Sequence, residues 1–486
     1  MSRRKSRRRL LLEKQVRFVV LFALATIPLL FGAVHPFVQG MYTAILLVGC
    51  GGWLLLNLPA LDLGQPWIRR LAAPAILLLY TAFTSLPLPL ALVRILSPGR
   101  AAAIAQVNEL AATDVQWLSL SYAGLGTFKE TIFYLAILLF FVCLRFLLRR
   151  DRKFADHVIR VLVLVGCLEA VYGILQVVSP SLGVLWLPNR YKSACGTIIY
   201  KNQYAALLNL CWPMALAVGL GFYRQRLVEL ARYIEKHGRR GASRLKRKLA
   251  EKSNQAPVYW FATSLIMLAV LFSLSRAGVV SMLFVWILIT AFLPFSRGRK
   301  LLAFASVLIL VVAFGSILGF EQIIQRFALL DTAGQARIRL WLGSASIIAD
   351  YPWTGIGLES YKMLSPVYLQ HFPGTVIYDR VHNEYLELII ELGIPAAAAL
   401  FLWIVLQVAD SLVRLWRIRD TSFSDASRAS LLAVSSLAAI CGFLLHGTVD
   451  FAWRLPANLL LCATLAALFS SALDRARGKK HQFVQG

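Results

Sequence analysis

The stretch that decides the fold is residues 131–153, which read TIFYLAILLFFVCLRFLLRRDRK. Its apolar part is close to the roughly 20 residues that an α-helix needs to cross a bilayer core. A dense run of arginine and lysine follows, and the positive-inside rule places such runs on the cytosolic side of a membrane. The pattern therefore predicts a transmembrane helix and the side on which it ends.

The same pattern recurs along the chain of 486 residues, of which 58% are hydrophobic and 15% are charged. Soluble proteins usually carry about 25% charged residues, so this composition indicates an integral membrane protein. The net charge of +27 is concentrated in short runs between apolar blocks. This distribution favours membrane topology and membrane lipids over a nucleic acid as the basic residues' partner.

We predict an all-α, polytopic fold in which residues 1–486 form a single membrane domain with both termini in the cytosol. A basic cytosolic loop is expected at 224–256, and a large periplasmic loop carrying part of the active site at 320–384. Twelve spans are expected, at about 17–36, 41–58, 72–93, 130–148, 157–178, 203–222, 258–275, 278–295, 301–319, 385–410, 428–446 and 456–473.

Four connections on the predicted periplasmic side carry polar residues that suit an anionic ligand. Arginine forks and lysine charges match a diphosphate, and fixed cations can stabilise a diphosphate leaving group without a metal ion. We expect no metal and no cofactor, since the sequence shows no acidic pair of the DxD type and no Cys/His cluster. The polar residues are Arg190, Lys192, Lys201, Arg276, Arg337, Arg339, Arg380, His382, His446, Asp450 and Arg454.

His382 immediately precedes the predicted tenth span. A helix N-terminus attracts anions and disfavours imidazolium, so a neutral His382 can serve as a general base, although simple helix capping is an alternative. Arg276 lies among small residues between two spans, where it either contacts a ligand or marks the end of a helix.

The charged residues near the last predicted spans form two groups. Glu384, Glu387 and Glu391 share one helical face, from which they either bind acceptor hydroxyls or pair with arginines. Asp450 and Arg454 are four residues apart, and we expect them to pair with each other and steady the last hairpin.

Several short motifs, in order, resemble the O-antigen ligase and polymerase superfamily, over roughly residues 160 to 470. His382-Asn383-x-x-Leu386 followed by Glu391-Leu392-Gly393-Ile394-Pro395 resembles its signature. The further matches are Gly196-Thr197 with Asn202 and Ala205-Ala206, Ser275-Arg276-Ala277-Gly278, Arg339-x-Trp341, Pro352-x-x-Gly355-x-Gly357 and Asp450-Phe451.

The resemblance implies a metal-independent transfer, with inversion, of a glycan from undecaprenyl diphosphate to an acceptor hydroxyl at the periplasmic face of a bacterial inner membrane. In this family the residue matching His382 acts as base or acceptor positioner, and the one matching Arg276 contacts the diphosphate. The family commonly has Asn-Pro-Asn where this chain has Tyr200-Lys201-Asn202. That departure leaves the second cation, from the region between spans 5 and 6, open between Arg190 and Lys201. Arg339 is expected to bind the diphosphate as well, and Asn383, Glu384 and Asp450 are expected to bind the acceptor or support the site.

The leading hypothesis is an O-antigen ligase of lipopolysaccharide biosynthesis, with lipid A–core as the acceptor. The superfamily alternatives are a polymerase that extends an O-antigen or exopolysaccharide on its lipid carrier, and a protein O-oligosaccharyltransferase. A flippase or transporter of lipid-linked glycans is an alternative from a different class. A transporter usually shows repeated halves and mid-span charges, whereas these candidates cluster at one face.

Overall fold

The computed structural model describes residues 2–60, 62, 64–179, 181–190, 193–237, 255–293, 298, 330–370, 378–418 and 428–484. In these ranges the chain is nearly all α-helical, as the sequence predicts. In chain order the helices are α1 Ser2–Thr26, α2 Pro36–Leu46, α3 Gly52–Asn57, α4 Pro66–Arg69, α5 Ala72–Ser85, α6 Leu90–Leu96, α7 Pro98–Ala111, α8 Gly124–Arg150, α9 Arg152–Val178, α10 Lys201–His237, α11 Ala256–Phe272, α12 Arg276–Phe292, α13 Leu330–Asp350, α14 Tyr361–Tyr368, α15 Glu384–Leu392, α16 Ile394–Ile418, α17 Arg428–His446 and α18 Pro456–Val484.

Seven helical segments of the described chain are long and apolar enough to cross a membrane. They are Pro36–Asn57, Gly124–Arg150, Arg152–Val178, Lys201–Lys236, Ile394–Arg417, Arg428–His446 and Pro456–Ala476. The apolar helices α11 and α12 are shorter, and they are separated at the turn where two adjacent spans were expected. A count of twelve spans stays a prediction, and the expected span at 301–319 lies outside the described residues.

The core of the membrane domain is built around α10, which packs against α9, α11 and α17. Its middle turns are buried on all sides, including Trp212, whose indole N–H donates to Asn209 Oδ1 at 3.0 Å. A helix that is apolar all round belongs in the interior of a bundle. The helix also runs to His237, so the predicted cytosolic loop at 224–256 begins as helix, and residues 238–254 of that loop lie outside the described chain.

Two predicted spans end earlier than expected. The first helix stops at Thr26 and is followed by turns, whereas the sequence suggested a span to residue 36. The third stops at Ser85 rather than at residue 93. Leu86-Pro87-Leu88-Pro89 explains the second error, because proline lacks an N–H and pushes the preceding residue out of the α region. Pro87–Pro89 instead pairs antiparallel with Trp117–Ser119.

The predicted tenth span is two helices, α15 and α16, divided at Gly393. Its backbone has φ 77° and ψ 164°, which an L-residue rarely adopts, and a Cβ there would overlap the Trp353 carbonyl oxygen. The 352–357 loop fits into this break, since Gly357 N–H donates to Glu391 O at 2.9 Å and Ile394 N–H donates to Pro352 O at 2.8 Å. The break therefore gives α15 an orientation independent of the long helix α16.

Residues 337–349, within the predicted periplasmic loop, are part of the helix α13. Its Trp341 indole N–H donates to the carbonyl oxygen of Val381 at 3.1 Å. This bond connects α13 to the segment that carries His382.

Candidate functional site

His382 lies at the start of α15 and faces a buried carboxylate. Its Nδ1 is 3.6 Å from Asp450 Oδ1, and its side chain is 25% exposed. The imidazole rests edge-on against Phe451, with ring centroids 4.8 Å apart. The sequence predicted that His382 and Asp450 share a side of the membrane, and the structure makes them direct neighbours.

Asp450 is fully buried and is held from several directions. The Asn202 side-chain amide donates to its Oδ2, and the Phe451 N–H donates to Oδ1 at 2.9 Å. Arg337 Nη2 lies 3.9 Å from Oδ2. Burial alone would raise the pKa of this carboxyl, but the neighbouring His382 and His446 side chains and the Phe451 N–H outweigh burial and hold the pKa below its ordinary value.

An aromatic wall borders the same site. The Tyr200 ring stacks on Phe451 with centroids 4.9 Å apart and planes at 17°, and its hydroxyl accepts a hydrogen bond from Asn202 Nδ2 at 2.9 Å. These stacked aromatic rings form one side of the site, and they limit the space around His382.

Arg276 is the first residue of α12, at the same end of the bundle as the start of α10. Ser275 caps the helix by accepting from Gly278 N–H at 3.1 Å. The Gly278 carbonyl accepts from Asn209 Nδ2 at 2.8 Å, and a Cβ on Gly278 would collide with Ala205. The small residues of this turn thus allow two helices to approach closely, which fixes Arg276 near the first turns of α10.

The other residues predicted to bind the diphosphate, besides Arg276, occupy different environments. Lys201 is the first residue of α10 and is half-buried beside Asn202, whereas Arg190 and Arg339 are exposed. Arg337 and Arg339 are two residues apart on α13, hence roughly 200° apart around the helix, and only Arg337 reaches Asp450. Arg337 therefore lies against the histidine–aspartate pair, whereas the predicted Arg339 is directed elsewhere on the helix surface.

Asn383 acts as the N-cap of α15, with its side-chain oxygen accepting from Leu386 N–H at 3.1 Å. Glu384 points the other way, into the protein, where its Oε1 accepts from Trp453 N–H at 2.7 Å. Both residues hold the helix on which His382 depends.

The expected pair of Asp450 with Arg454 is wrong. Arg454 Nη2 lies 2.6 Å from Glu391 Oε2 and 3.3 Å from Glu387 Oε1, and its Nε lies 3.5 Å from Glu384 Oε2. The reason is local backbone: Phe451 has φ −113° and ψ 46°, so the chain between the two residues is not an α-turn. The acidic face of α15 pairs with arginines, which resolves the alternative left open by the sequence.

Arg380 extends this ionic cluster towards the 352–360 loop. Its Nη1 is 3.1 Å from Glu387 Oε1 and its Nη2 is 2.7 Å from Glu359 Oε1. Burial would raise the pKa of Glu359, but the charges of Arg380 and Arg454 outweigh burial and lower it. The cluster fastens α15, the 352–360 loop and the 452–454 turn together.

The Gly196-Thr197 motif is explained by a residue that sequence reasoning missed. Glu169, buried in α9, accepts from Thr197 N–H at 2.9 Å, while Gln176 accepts from Gly196 N–H at 2.9 Å. Gly196 has φ 59°, and a Cβ there would collide with the Glu169 carboxylate. A carboxylate in the middle of an apolar span was the available signal, because such groups are costly unless partnered.

His446 was noted in the sequence without a role. It is 1% exposed at the end of α17, and its charge contributes to the lowered pKa of Asp450.

Together, these features define a polytopic membrane protein with a histidine–aspartate pair and several cations at one end of its helices. A family model described as O-antigen ligase matches residues 261–401, and this match supports the resemblance of the chain to the O-antigen ligase superfamily. The matched segment contains Arg276, Arg337 and His382 but not Asn202 or Asp450. No curated protein was found to match the chain.

Proposed function

We propose that the protein is an O-antigen ligase that transfers a glycan from undecaprenyl diphosphate to a hydroxyl of lipid A–core at the periplasmic face of the inner membrane. The observation that carries the proposal is the approach of His382 Nδ1 to the buried Asp450 at 3.6 Å, in a chain whose residues 261–401 match the O-antigen ligase family model. The contact leaves Nε2 of His382 as the nitrogen that meets an acceptor.

In this proposal His382 Nε2 takes the proton of the acceptor hydroxyl as the oxygen attacks the anomeric carbon. The new C–O bond forms on the face opposite the diphosphate, the old C–O bond breaks, and undecaprenyl diphosphate leaves with the bonding electrons. The configuration is inverted. Asp450 stabilises the imidazolium through Nδ1, and Asn202 holds the carboxylate in place.

Cations supply the stabilisation of the leaving diphosphate. Arg276 is positioned for this role by the closely packed turn that begins α12, and Lys201 starts the neighbouring helix α10. Arg337 adds a third charge beside Asp450. Fixed cations act on developing charge without a metal ion, so we propose metal-independent transfer. Arg190 and Arg339 stay candidates for more distant parts of the donor, because both are exposed.

The experiment measures glycan transfer by purified protein in EDTA, with lipid-linked donor and either lipid A–core or a lipid-linked glycan as acceptor. We expect product on lipid A–core with wild type and its loss in His382→Ala and Arg276→Ala. A matched control is His35→Ala, since His35 is an exposed helix cap at α2. Full activity in both site variants would overturn the assignment of the site.

The same assay separates the alternative function. Longer lipid-linked chains, with lipid A–core unmodified, would identify a polymerase that uses the same residues. Donor that crosses the bilayer without release of undecaprenyl diphosphate would identify a transporter.

A further inference from the structure

An apolar groove of about 660 Å³ lies far from His382, between α8 and the α2–α3 segment. Its lining includes Val48, Leu55, Leu58, Ile68, Val142 and Phe146. Volumes of about 300–1,000 Å³ are typical of small-molecule sites. The groove is therefore large enough for a hydrocarbon chain.

Backbone geometry creates the space. Leu47–Gly51 forms a π-helical turn between α2 and α3, and Gly51 and Gly52 face the groove without side chains. A Cβ built on Gly52 has no heavy atom within 4 Å, although its backbone is an ordinary right-handed helix. π-Turns inside helices are frequent at functional sites.

The groove ends in positive charge. Leu139, Val142 and Phe146 of α8 line it, and Arg149 continues the same helical face one turn later. Arg149 is 41% exposed and donates to Gln65 Oε1 at 2.9 Å, and its Nε lies 4.0 Å from Asp474 Oδ2. Arg69, four residues after Gln65, is also exposed. Arg145 is buried and lies closer to Asp474, at 2.5 Å. An apolar channel that ends in exposed arginines is complementary to a lipid with an anionic headgroup.

The orientation of the groove separates two classes of lipid. Arg149 belongs to the basic run at residues 145–153, which the sequence predicts to be cytosolic. The other end of α8 lies at the candidate site, where Thr127 Oγ1 donates to the carbonyl of Leu358, beside Glu359. A glycan carrier bound for transfer has its diphosphate at that opposite end.

We propose that the groove binds an acyl chain of an anionic phospholipid from the cytosolic leaflet, with its phosphate at Arg149 and Arg69. Arginine pairs with phosphate oxygens, and each basic residue near the headgroups strengthens attraction to anionic lipid. The protein would then bind a phospholipid near the predicted cytosolic end of α8, whereas the proposed transfer site lies at the other end of this helix.

Native mass spectrometry of the purified full chain tests the proposal, by titration with phosphatidylglycerol, phosphatidylcholine of the same acyl chains, or undecaprenyl phosphate. Wild type should prefer phosphatidylglycerol. Gly52→Leu should weaken its binding about tenfold, because the leucine fills the space in which the chain packs. Arg149→Gln should lower the preference over phosphatidylcholine about fivefold.

The matched control substitutions lie on helices but outside the lining of the groove. Gly40→Leu places a leucine at an exposed position on α2 where a Cβ meets nothing, and Arg94→Gln removes an exposed charge from α6, on the predicted periplasmic side. Both should bind like wild type. Arg149→Gln changes an exposed side chain and should leave the fold intact. An unchanged preference for phosphatidylglycerol over phosphatidylcholine in this variant therefore overturns the proposal. Tighter binding of undecaprenyl phosphate than of phosphatidylglycerol, weakened by Gly52→Leu, would overturn it in favour of the carrier.

Discussion

His382 occupies an unusual backbone conformation for a residue with a side chain. Its φ is 58°, in the left-handed region, where strain persists only if the surroundings fix it. The preceding residue, Val381, supplies that restraint, because its N–H donates to Glu387 Oε2 at 2.9 Å and its carbonyl accepts from Trp341. A strained backbone held in this way fixes the direction of the side chain, which agrees with the position of His382 facing Asp450.

The partnership of Asp450 with His382 predicts a specific loss of activity. Asp450→Asn keeps the shape but removes the charge that favours the imidazolium, and we expect the turnover rate to fall roughly 100-fold or more, with a smaller change in KM. Initial rates of glycan transfer at several acceptor concentrations measure both the turnover rate and KM. Asp114→Asn, at an exposed loop position, is the control. An equal loss in both variants would contradict a specific role.

The lowered pKa of Asp450 also predicts how stability depends on pH. A carboxyl whose folded-state pKa lies below its ordinary value of about 3.9 stabilises the fold when ionised, and that stabilisation is present above the ordinary pKa. It is lost as the pH falls through the folded-state pKa. Thermal unfolding in detergent between pH 7 and pH 3 should show wild type above Asp450→Asn at neutral pH, with the gap closing below about pH 4. A gap that widens in acid would contradict the assignment.

At the scale of helices, the sequence predicted most elements and missed several of their ends. Long apolar blocks such as those of α8, α9 and α17 define their own helices, because a segment in lipid must satisfy its backbone internally. The break at Gly393 was not visible, since apolar residues continue through it. That break depends on the 352–357 loop, about 40 residues away in the chain.

The ionic cluster under α15 predicts a large loss of stability when its centre is removed. Arg454 is 5% exposed and lies within 4.0 Å of four glutamates, so Arg454→Met leaves the buried Glu391 without its charged partner and weakens the pairing of Glu384 and Glu387. Breaking a buried pair in this way costs roughly 3–5 kcal/mol. Thermal unfolding should show a much smaller effect for the control Arg414→Gln, whose pair with Asp410 is 28% and 36% exposed and is worth about 0–1 kcal/mol.

A second substitution tests why Arg454→Met lowers the stability of the fold. Adding Glu391→Gln to Arg454→Met removes one of the stranded charges and should recover part of the stability. A double variant less stable than Arg454→Met alone would argue against stranded charge as the cause.

At the scale of the whole molecule, the candidate site joins residues from distant parts of the chain. The sequence placed His382 and Asp450 in one group by their predicted side of the membrane, because basic runs alternate with apolar blocks. It did not reveal which of them touch. Asn202, His382 and Asp450 come from α10, α15 and the turn after α17, and only the packing of these elements brings them into contact. The choice of Arg337 over Arg339 likewise depends on how α13 is rotated.

The topology that underlies the proposed function is itself testable with single cysteines in a cysteine-free background. The native thiols are all buried or half-buried, so their replacement is a conservative starting point. Glu109→Cys, exposed on α7, should react with a membrane-impermeant maleimide in intact spheroplasts, because α7 lies in a predicted periplasmic connection. Lys153→Cys, exposed at the start of α9, should react only after permeabilisation. The reverse pattern would place His382 and Asp450 in the cytosol, where a periplasmic ligase cannot have its active site.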